Sequence, residues 1–420
     1  MDRIIMTIRR IIAAALLFGL LAGCGKTEPA AEGKPGEETE PEEETPVEYV
    51  TSDEPIPILA WYSIPENFTT IDQYRTLKDA GFNVSMTFFG PLDDALRALD
   101  CANSAGVKLL FACNALRSDT QNTVRRVKGH PALYGYYLQD EPTNADFPDL
   151  AAWADRIREV DASHPLYLNL FPDYVNPSVL STSYEDYVKD FIRIVKLPMV
   201  SFDYYPVTTS GIRKSWYGNL ALIARESEKA GLPFWAFALS TAHNPYPLPT
   251  MASLRLQFYT DLAFGAQGLQ YFTYWNPGTD TWDFHDAPIN QQGQKTATYA
   301  LAKAMNQELQ ARAGVFMGAK VKEVLFTGGD IPRDMTLLTK LPEGVSKLDT
   351  KGQNALVSLL ENKGVRYLML VSRSVDKSIA YDIAFSGAAA SIGKDGRITP
   401  LKKGVLSYRL DAGDCAIFRY

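Results

Sequence analysis

The chain has 420 residues, of which 46% are hydrophobic and 22% are charged. This composition excludes an intrinsically disordered protein and a collagen-like one. The formal net charge is −7, but residues 25–54 carry a net −9 and residues 1–23 a net +2. Residues 55–420 are therefore neutral overall and have no bulk charge that would attract nucleic acid, so no nucleic-acid partner is predicted.

The first 24 residues have the pattern of an export signal. Three arginines among the first ten residues precede an apolar run over residues 11–21, which is too short to span a bilayer. The run ends in Leu-Ala-Gly-Cys at residues 21–24, which resembles a bacterial lipobox. The resemblance implies a signal peptide over residues 1–23 and acylation of the Cys24 thiol. We expect a lipid-anchored protein of the bacterial cell envelope, periplasmic or on the outer surface, that touches the membrane only through this lipid. An ordinary secretory signal or a membrane helix is the alternative.

Residues 24–55 form the second predicted segment. It is rich in Glu, Pro, Gly and Thr and has few large apolar side chains. Such a segment cannot bury enough surface to offset the conformational entropy lost on ordering. We predict a disordered acidic tether, extended by repulsion between its glutamates.

From residue 56 short apolar strands alternate with amphipathic helices. The strand starts are 24 to 35 residues apart, which fits one strand, one helix and two loops. The predicted strands span residues 58–64, 82–89, 108–115, 133–140, 166–171, 199–205, 234–239 and 268–275. The helices between and after them include residues 70–80, 92–105, 146–160, 184–195, 212–230 and 294–313.

Eight alternations predict an α/β fold, a (β/α)8 TIM barrel over residues 56–314. A doubly wound open sheet is the alternative, but its usual glycine-rich first turn is absent. After residue 314 short strands follow one another without helices, which predicts an antiparallel β-sandwich over residues 315–420. These strands are predicted at residues 321–326, 355–361, 367–372, 379–385, 391–392 and 415–420.

In TIM barrels the active site lies at the carboxyl ends of the strands. The predicted strand ends in this chain are rich in aromatic and acidic residues and poor in cations. Aromatic faces suit the apolar faces of sugar rings, and carboxylates and amides suit hydroxyl groups, so a carbohydrate substrate is predicted. The candidate substrate-binding residues are Tyr62, Asn114, Asp203, Tyr205, His243 and Trp275.

The fourth predicted strand ends in Gln139-Asp140-Glu141-Pro142. This resembles the fourth strand of clan A glycoside hydrolases, which ends in Asn-Glu-Pro with the Glu as acid/base. The segment Ser-Phe-Asp-Tyr-Tyr-Pro at residues 201–206 also resembles the sixth strand of several sugar-cleaving barrels. The resemblance implies a glycosidase in which Glu141 is the catalytic acid/base, with Asp140 beside it.

The seventh predicted strand departs from that clan. It continues into Ser240-Thr241-Ala242-His243, where a clan A enzyme has its nucleophilic Glu. Retaining hydrolysis ordinarily needs two carboxyl groups about 5 Å apart on opposite sides of the bond. Adjacent Asp140 and Glu141 cannot readily straddle a bond, because both issue from one strand end.

Three replacements for the missing carboxylate remain open. The adjacent pair Asp140-Glu141 resembles that of hexosaminidases in which the acetamido group of the sugar is the nucleophile; Asp140 would then orient the acetamide and Glu141 would protonate the leaving oxygen. A second route is inversion with a carboxylate base on another strand. A third uses a carboxylate of the loop after the eighth strand. The candidate base for inversion is Asp203 or Asp173. The candidate carboxylate of the loop is Asp280, Asp283 or Asp286.

Non-catalytic interpretations also remain open. Glu141 could pair with Arg117 while Asp140 caps a turn. The absence of a Glu after the seventh strand also leaves open a glycan-binding surface lipoprotein with a decayed active site, and a structural envelope protein is a third possibility. The four histidines form neither an HxH nor an HExxH pair, so no metal is predicted. No GxSxG segment is present, which disfavours a serine hydrolase, and no cofactor is predicted.

Overall fold

The computed structural model describes residues 47–278 and 282–420. The predicted signal peptide, Cys24, most of the predicted tether and Asp280 lie outside the described residues. Within those two ranges, no helix combines the length and the apolar character needed to cross a membrane.

The described residues form strands and helices with the following bounds. The strands are β1 (Glu48–Tyr49), β2 (Ile58–Trp61), β3 (Val84–Met86), β4 (Lys108–Phe111), β5 (Leu133–Asp140), β6 (Leu166–Leu170), β7 (Val200–Phe202), β8 (Val207–Thr208), β9 (Gly211–Ile212), β10 (Phe234–Leu239), β11 (Gly268–Phe272), β12 (Lys320–Thr327), β13 (Val345–Asp349), β14 (Ala355–Asn362), β15 (Val365–Ser372), β16 (Ile379–Phe385), β17 (Ala390–Ile392), β18 (Arg397–Pro400), β19 (Leu406–Leu410) and β20 (Cys415–Arg419). The helices are α1 (Ile71–Asp79), α2 (Leu92–Ala105), α3 (Asn114–Ser118), α4 (Thr120–Val127), α5 (Phe147–Arg158), α6 (Pro177–Leu180), α7 (Tyr184–Ile194), α8 (Ser215–Ala230), α9 (Met251–Ala263), α10 (Ala297–Ala311) and α11 (Ala313–Phe316).

Eight parallel strands close into a barrel, in the order β2-β3-β4-β5-β6-β7-β10-β11, with β11 pairing back to β2. Each of these strands lies within a predicted strand, so the predicted TIM barrel is confirmed and the open sheet is wrong. Strand β10 is buried along its whole length, as expected of a strand covered by helices outside and side chains inside. Helix α8 begins later than predicted, because the short hairpin of β8 and β9 occupies residues 207–212.

The barrel has two apolar layers. One fills its interior and includes Leu59, Met86, Trp235 and Phe237. The other lies between the strands and the surrounding helices. Helix α8 ends at Gly231 with φ 68°, a left-handed conformation that glycine adopts without steric strain. This stop turns the chain back into β10 and fixes where that strand begins.

The C-terminal region consists of antiparallel sheets. A seven-stranded sheet, β1-β18-β17-β20-β15-β14-β12, faces a three-stranded sheet, β13-β16-β19, across a shared apolar core. The core takes Val357 and Phe418 from the first sheet and Ile383 and Leu410 from the second. The predicted antiparallel sandwich is therefore confirmed, although β13, β18 and β19 were not among the predicted strands.

The predicted tether does not extend to residue 55. Strand β1 pairs antiparallel with β18, and the Val50 N–H donates to the Gly396 carbonyl at 2.9 Å. Glu48 also pairs with Arg419 at 2.7 Å. The reason is local, since a short run of Val, Tyr and Val at residues 47–50 has strand character within an otherwise acidic segment.

Asp261 on α9 is a buried carboxyl group whose ionisation should lower the free energy of unfolding. It is fully buried, and neither of its carboxyl oxygens has a hydrogen-bond partner among the described residues. Burial raises the pKa of Asp261 well above its usual range. Because the folded pKa exceeds the unfolded one, Asp261 destabilises the fold increasingly as pH rises above the unfolded value. We expect Asp261→Asn to have a larger free energy of unfolding than the wild type, with the difference growing from pH 5 to pH 9.

Urea unfolding across that pH range measures the effect. Asp72→Asn, an exchange of the same kind at an exposed position of α1, is the control and should not raise the free energy of unfolding. Identical pH dependence in the wild type and Asp261→Asn would show that Asp261 is not a buried, protonated carboxyl.

Candidate active site

A cavity of about 470 Å³ opens at the carboxyl ends of the barrel strands. Three carboxyl groups line it, those of Asp140, Glu141 and Asp203. Its other lining residues are Trp61, Asn169, Tyr174, Tyr205, Arg213, Phe237, His243, Pro245, Tyr246, Phe272, Trp282 and Phe284.

The carboxyl pair Asp140 and Glu141 is placed by the end of β5. Asp140 is the last residue of the strand, and Glu141 follows with φ 44°, in the left-handed region that side chains disfavour. The Glu141 N–H donates to the Asn169 carbonyl at 2.9 Å, which fastens this bend to β6. The bend interrupts the alternation of the strand, so two consecutive side chains line one cavity.

Asn169 holds two of the three carboxyl groups. Its Nδ2 donates to Asp140 Oδ1 at 3.1 Å and to Asp203 Oδ1 at 3.0 Å. Its Oδ1 accepts a hydrogen bond from Ser201 Oγ at 3.0 Å, and Gln270 Nε2 donates to that Ser201 oxygen at 2.9 Å. The amide is therefore fixed by neighbours on β7 and β11, and the orientation of both aspartates follows from it.

The three carboxyl groups have raised pKa values. Burial raises the pKa of Asp140 to about 6, against the lowering effect of the Asn169 hydrogen bond. Burial and then repulsion from Asp140 raise the pKa of Glu141 to about 7, while its hydrogen bond with Asp203 lowers it. Burial, followed by the charges of Glu141 and Asp140, raises the pKa of Asp203 well above its usual range.

A hydrogen bond between two carboxyl groups requires a proton on one of them. Because the pKa values of Glu141 and Asp203 are both raised, this pair of desolvated acids retains a proton near neutral pH. The cavity thus contains a proton donor and, beside it, Asp140, which ionises at lower pH than Glu141.

Aromatic rings form the rest of the cavity wall. The His243 ring is buried and packs against Phe284 at 4.5 Å and Tyr246 at 4.7 Å between ring centroids. Burial lowers the pKa of His243, so its imidazole is neutral at neutral pH. Tyr205 packs on Phe272 at 5.4 Å, and Trp282, 52% exposed, lies at the cavity opening. Flat rings beside carboxyl groups form a surface that suits a sugar ring.

The structure brings five of the predicted site residues together in or against this cavity: Asp140, Glu141, Asp203, Tyr205 and His243. It does not bring Tyr62, Asn114 and Trp275 there. Trp275 is buried against Phe68, with 4.8 Å between ring centroids. Tyr62 turns toward the Pro277 carbonyl, and Asn114 is the exposed first residue of α3.

Two of these differences, those at Tyr62 and Trp275, arise near the strand ends. Side chains alternate between the two faces of a strand, so a shift by one residue exchanges a cavity side chain for one on the far side. At the end of β2 the ring in the cavity is that of Trp61, not Tyr62. At the end of β11 it is that of Phe272, and Trp275 follows three residues beyond the strand.

Several cavity residues lie outside the predicted set. The sequence does single out Asn169, because it is a lone amide in the apolar sequence Leu-Tyr-Leu-Asn-Leu of β6. Nothing in the sequence indicates that Arg213 and Tyr246 line the cavity, because they lie on loops after β9 and β10 whose course the strand pattern does not determine.

The alternative partners predicted for the carboxyl groups lie outside the cavity. Arg117 pairs with Asp149 and not with Glu141, and its guanidinium carbon lies 4.4 Å from the Trp153 ring centroid. Asp173, Asp283 and Asp286 are not among the lining residues of the cavity.

The two residues directly after β10, Ser240 and Thr241, carry hydroxyl groups. Ser240 donates to the Thr273 carbonyl at 2.8 Å and Thr241 to the His285 carbonyl at 3.1 Å. Within residues 47–278 and 282–420, no group of three or more His, Cys, Asp or Glu side chains is placed to hold a metal ion.

No protein-family model and no curated protein matches the sequence. Solved structures share the fold. The β-galactosidase from Bacillus circulans sp. alkalophilus aligns over 87% of this chain and 99% of its own, with 10% identity and a TM-score of 0.58. A catalytic mutant of Gan42B, a GH42 β-galactosidase from G. stearothermophilus, aligns over 89% and 99%, with 10% identity and a TM-score of 0.56.

A β-galactosidase from the psychrophilic Marinomonas ef1 aligns at a TM-score of 0.45, and this chain spans 59% of its length. At about 10% identity, the two full-length alignments establish the fold, a TIM barrel followed by a C-terminal β domain.

Proposed function

We propose that this protein is a glycoside hydrolase in which Glu141 is the general acid. The observation that carries the proposal is the carboxyl cluster of Asp140, Glu141 and Asp203 in an aromatic cavity at the carboxyl ends of the strands. A general acid is most effective when its pKa lies near the working pH, and the pKa of Glu141 is about 7. The β-galactosidases that share the fold support a carbohydrate substrate.

The cleavage route follows from how close the carboxyl groups are. Enzymes that use two carboxyl groups across the bond hold them about 5 Å apart for retention and roughly 6.5–9.5 Å apart for inversion. Asp140, Glu141 and Asp203 line the same cavity, and the Asn169 amide donates to both aspartates, so the three carboxyl groups form one cluster. This favours a nucleophile supplied by the substrate over Asp203 acting as the base of an inverting enzyme.

We propose that this nucleophile is the 2-acetamido group of an N-acetylated sugar. Glu141 donates its proton to the glycosidic oxygen as the C1–O bond breaks, and the acetamide carbonyl oxygen bonds to C1 to form an oxazolinium ion. Asp140 accepts a hydrogen bond from the N–H of that ring and offsets its positive charge. The Glu141 carboxylate then takes a proton from water, whose oxygen bonds to C1 while the ring C1–O bond breaks and the neutral acetamide re-forms.

Attachment to the cell envelope through an acylated Cys24 is part of the proposal and rests on the sequence of residues 21–24. A glycan-binding surface lipoprotein is the second candidate, favoured by the hydroxyl groups that stand after β10 in place of a carboxylate.

Removing the proton donor tests the proposal. We expect the full chain to hydrolyse aryl N-acetylglucosaminide or N-acetylgalactosaminide, and Glu141→Gln to reduce kcat by about 10²–10⁴-fold because the amide cannot protonate the leaving oxygen. Release of the aryl group from these substrates and from aryl galactoside and glucoside is the measurement. Glu228→Gln, an exposed exchange on α8, is the matched control and should retain full activity.

Full activity in Glu141→Gln would contradict the role of Glu141. Binding of sugars without cleavage, unchanged between the wild type and Glu141→Gln, would favour the glycan-binding candidate.

The identity of the nucleophile has a separate test. Fluorine on the acyl group withdraws electrons from the carbonyl oxygen and makes it a weaker nucleophile. We expect kcat/KM to fall steadily from N-acetyl to N-fluoroacetyl to N-trifluoroacetyl aryl glycosides. A nucleophile supplied by the protein would leave the three rates nearly equal, so a flat series would contradict substrate assistance while leaving Glu141 as acid.

The pH profile tests Asn169 as a positioning residue. Activity requires Asp140 ionised and Glu141 protonated, so kcat/KM should fall below about pH 6 and above about pH 7. The Asn169 amide stabilises the charged form of Asp140 and thereby lowers its pKa. We therefore expect Asn169→Leu to move the acidic limb of the profile to higher pH, in addition to lowering kcat.

Asn122→Leu, on the outer helix α4, is the control and should leave both limbs in place. A lower kcat with an unchanged acidic limb would mean that Asn169 acts only through packing.

A further inference from the structure

One strongly basic side chain lies in the cavity. Arg213 is the one Arg or Lys among the described residues that line it. It directly follows the hairpin of β8 and β9, and its backbone N–H donates to the Pro206 carbonyl at 2.9 Å. This contact holds the backbone of Arg213 close to the segment that follows β7 and contains Asp203.

Two tyrosines from other loops hold the guanidinium group. Its central carbon lies 4.8 Å from the ring centroid of Tyr174 and 5.3 Å from that of Tyr246. Nη1 also donates to the Tyr246 hydroxyl at 3.2 Å. Tyr174 lies on the loop after β6 and Tyr246 on the loop after β10, so three separate loops converge on this one cation. Such contacts fix the position of an arginine without neutralising its charge.

Arg213 has no anionic partner among the described residues. The Asp and Glu side chains that pair with arginines elsewhere in the chain do so at 4.0 Å or less, and none of them reaches Arg213. Asp140, Glu141 and Asp203 line the same cavity but form no ion pair with it. A guanidinium carries five N–H donors in a planar fork, and Tyr246 accepts from one of them. Unused donors therefore remain, beside the surface on which a sugar would stack.

A cation set in a partly desolvated aromatic cavity is unfavourable unless something pairs with it. A neutral sugar needs hydroxyl acceptors and ring faces, which the carboxyl cluster and the aromatic wall already offer. A planar fork with free donors instead matches the oxygens of a carboxylate or a sulfate, which it binds with two parallel hydrogen bonds.

We infer that the sugar bound in this cavity, or the sugar unit joined to it, bears an anionic group, a carboxylate or a sulfate, that pairs with Arg213. The inference rests on the proposed function only in taking the ligand to be a sugar, and it extends that function to a charged glycan. The loops after β6, β9 and β10 thus select the substrate, while the ends of β5, β6 and β7 carry out the chemistry.

Binding rather than turnover is the test, so that the outcome does not depend on cleavage. Glucuronate, galacturonate and galactose 6-sulfate are titrated by calorimetry into the full chain carrying Glu141→Gln, beside glucose and galactose. We expect at least one anionic sugar to bind about tenfold or more tightly than its neutral parent. That preference should weaken at high salt, as an ion pair does.

The same titrations in an Arg213→Gln background should remove the preference, and Arg213→Lys should restore part of it through charge alone. Lys214→Gln is the matched control, because it removes the same charge one residue away, from a side chain that pairs with Asp330 at 2.6 Å outside the cavity. The uronate and sulfate arms identify which anion is bound.

Equal affinity for anionic and neutral sugars would overturn the inference, as would a preference that survives Arg213→Gln or the absence of any binding by the anionic sugars. None of these binding results decides whether the enzyme cleaves a neutral aryl glycoside with Glu141 as the acid. The failure of this inference can therefore be distinguished from the failure of the proposed function.

Discussion

The desolvation of three carboxyl groups at one end of the barrel is the constraint on which the site depends. Two unit charges 4 Å apart interact by about 4 kcal/mol at the effective dielectric of a partly buried site. Asp140, Glu141 and Asp203 therefore cannot all ionise without a large loss of stability. The raised pKa values of Glu141 and Asp203 keep a proton in the cluster, and the Asn169 amide donates to Asp140 and Asp203. One arrangement thus provides both an acid and a carboxylate near neutral pH.

The barrel could be predicted because its information is local and repeated. Each strand is a short apolar run and each helix follows at a regular distance. The apolar runs and their spacing therefore both indicate an eight-stranded barrel. The Asp-Glu-Pro sequence could be placed at the mouth for the same reason, since a strand end is also a barrel end. Which side chain enters the cavity was harder to predict. The alternation in a strand makes Trp61 and Tyr62 equally plausible until the register is known, and the bend at Glu141 breaks the alternation altogether.

The cavity wall could not be predicted, because it is assembled from loops. Arg213, Tyr174 and Tyr246 meet from three loops that follow different strands, and no spacing in the sequence encodes that meeting. The same limit explains β1. Its residues stand in an acidic segment, and their strand character appears only when β18 offers an edge for pairing. Segments with weak local signals take their structure from contacts that are distant in sequence.

The carboxyl cluster also distinguishes the two proposed functions. A protein that only binds sugars could surround hydroxyl groups with amides, which form the same hydrogen bonds without a desolvation penalty for charge. This cavity instead holds three acids whose burial destabilises the fold as pH rises. A binding surface gains nothing from a proton that leaves at about pH 7, whereas the cleavage of a glycosidic bond requires one. The proposed substrate-assisted route needs no second carboxylate across the sugar, which agrees with the hydroxyl groups that follow β10.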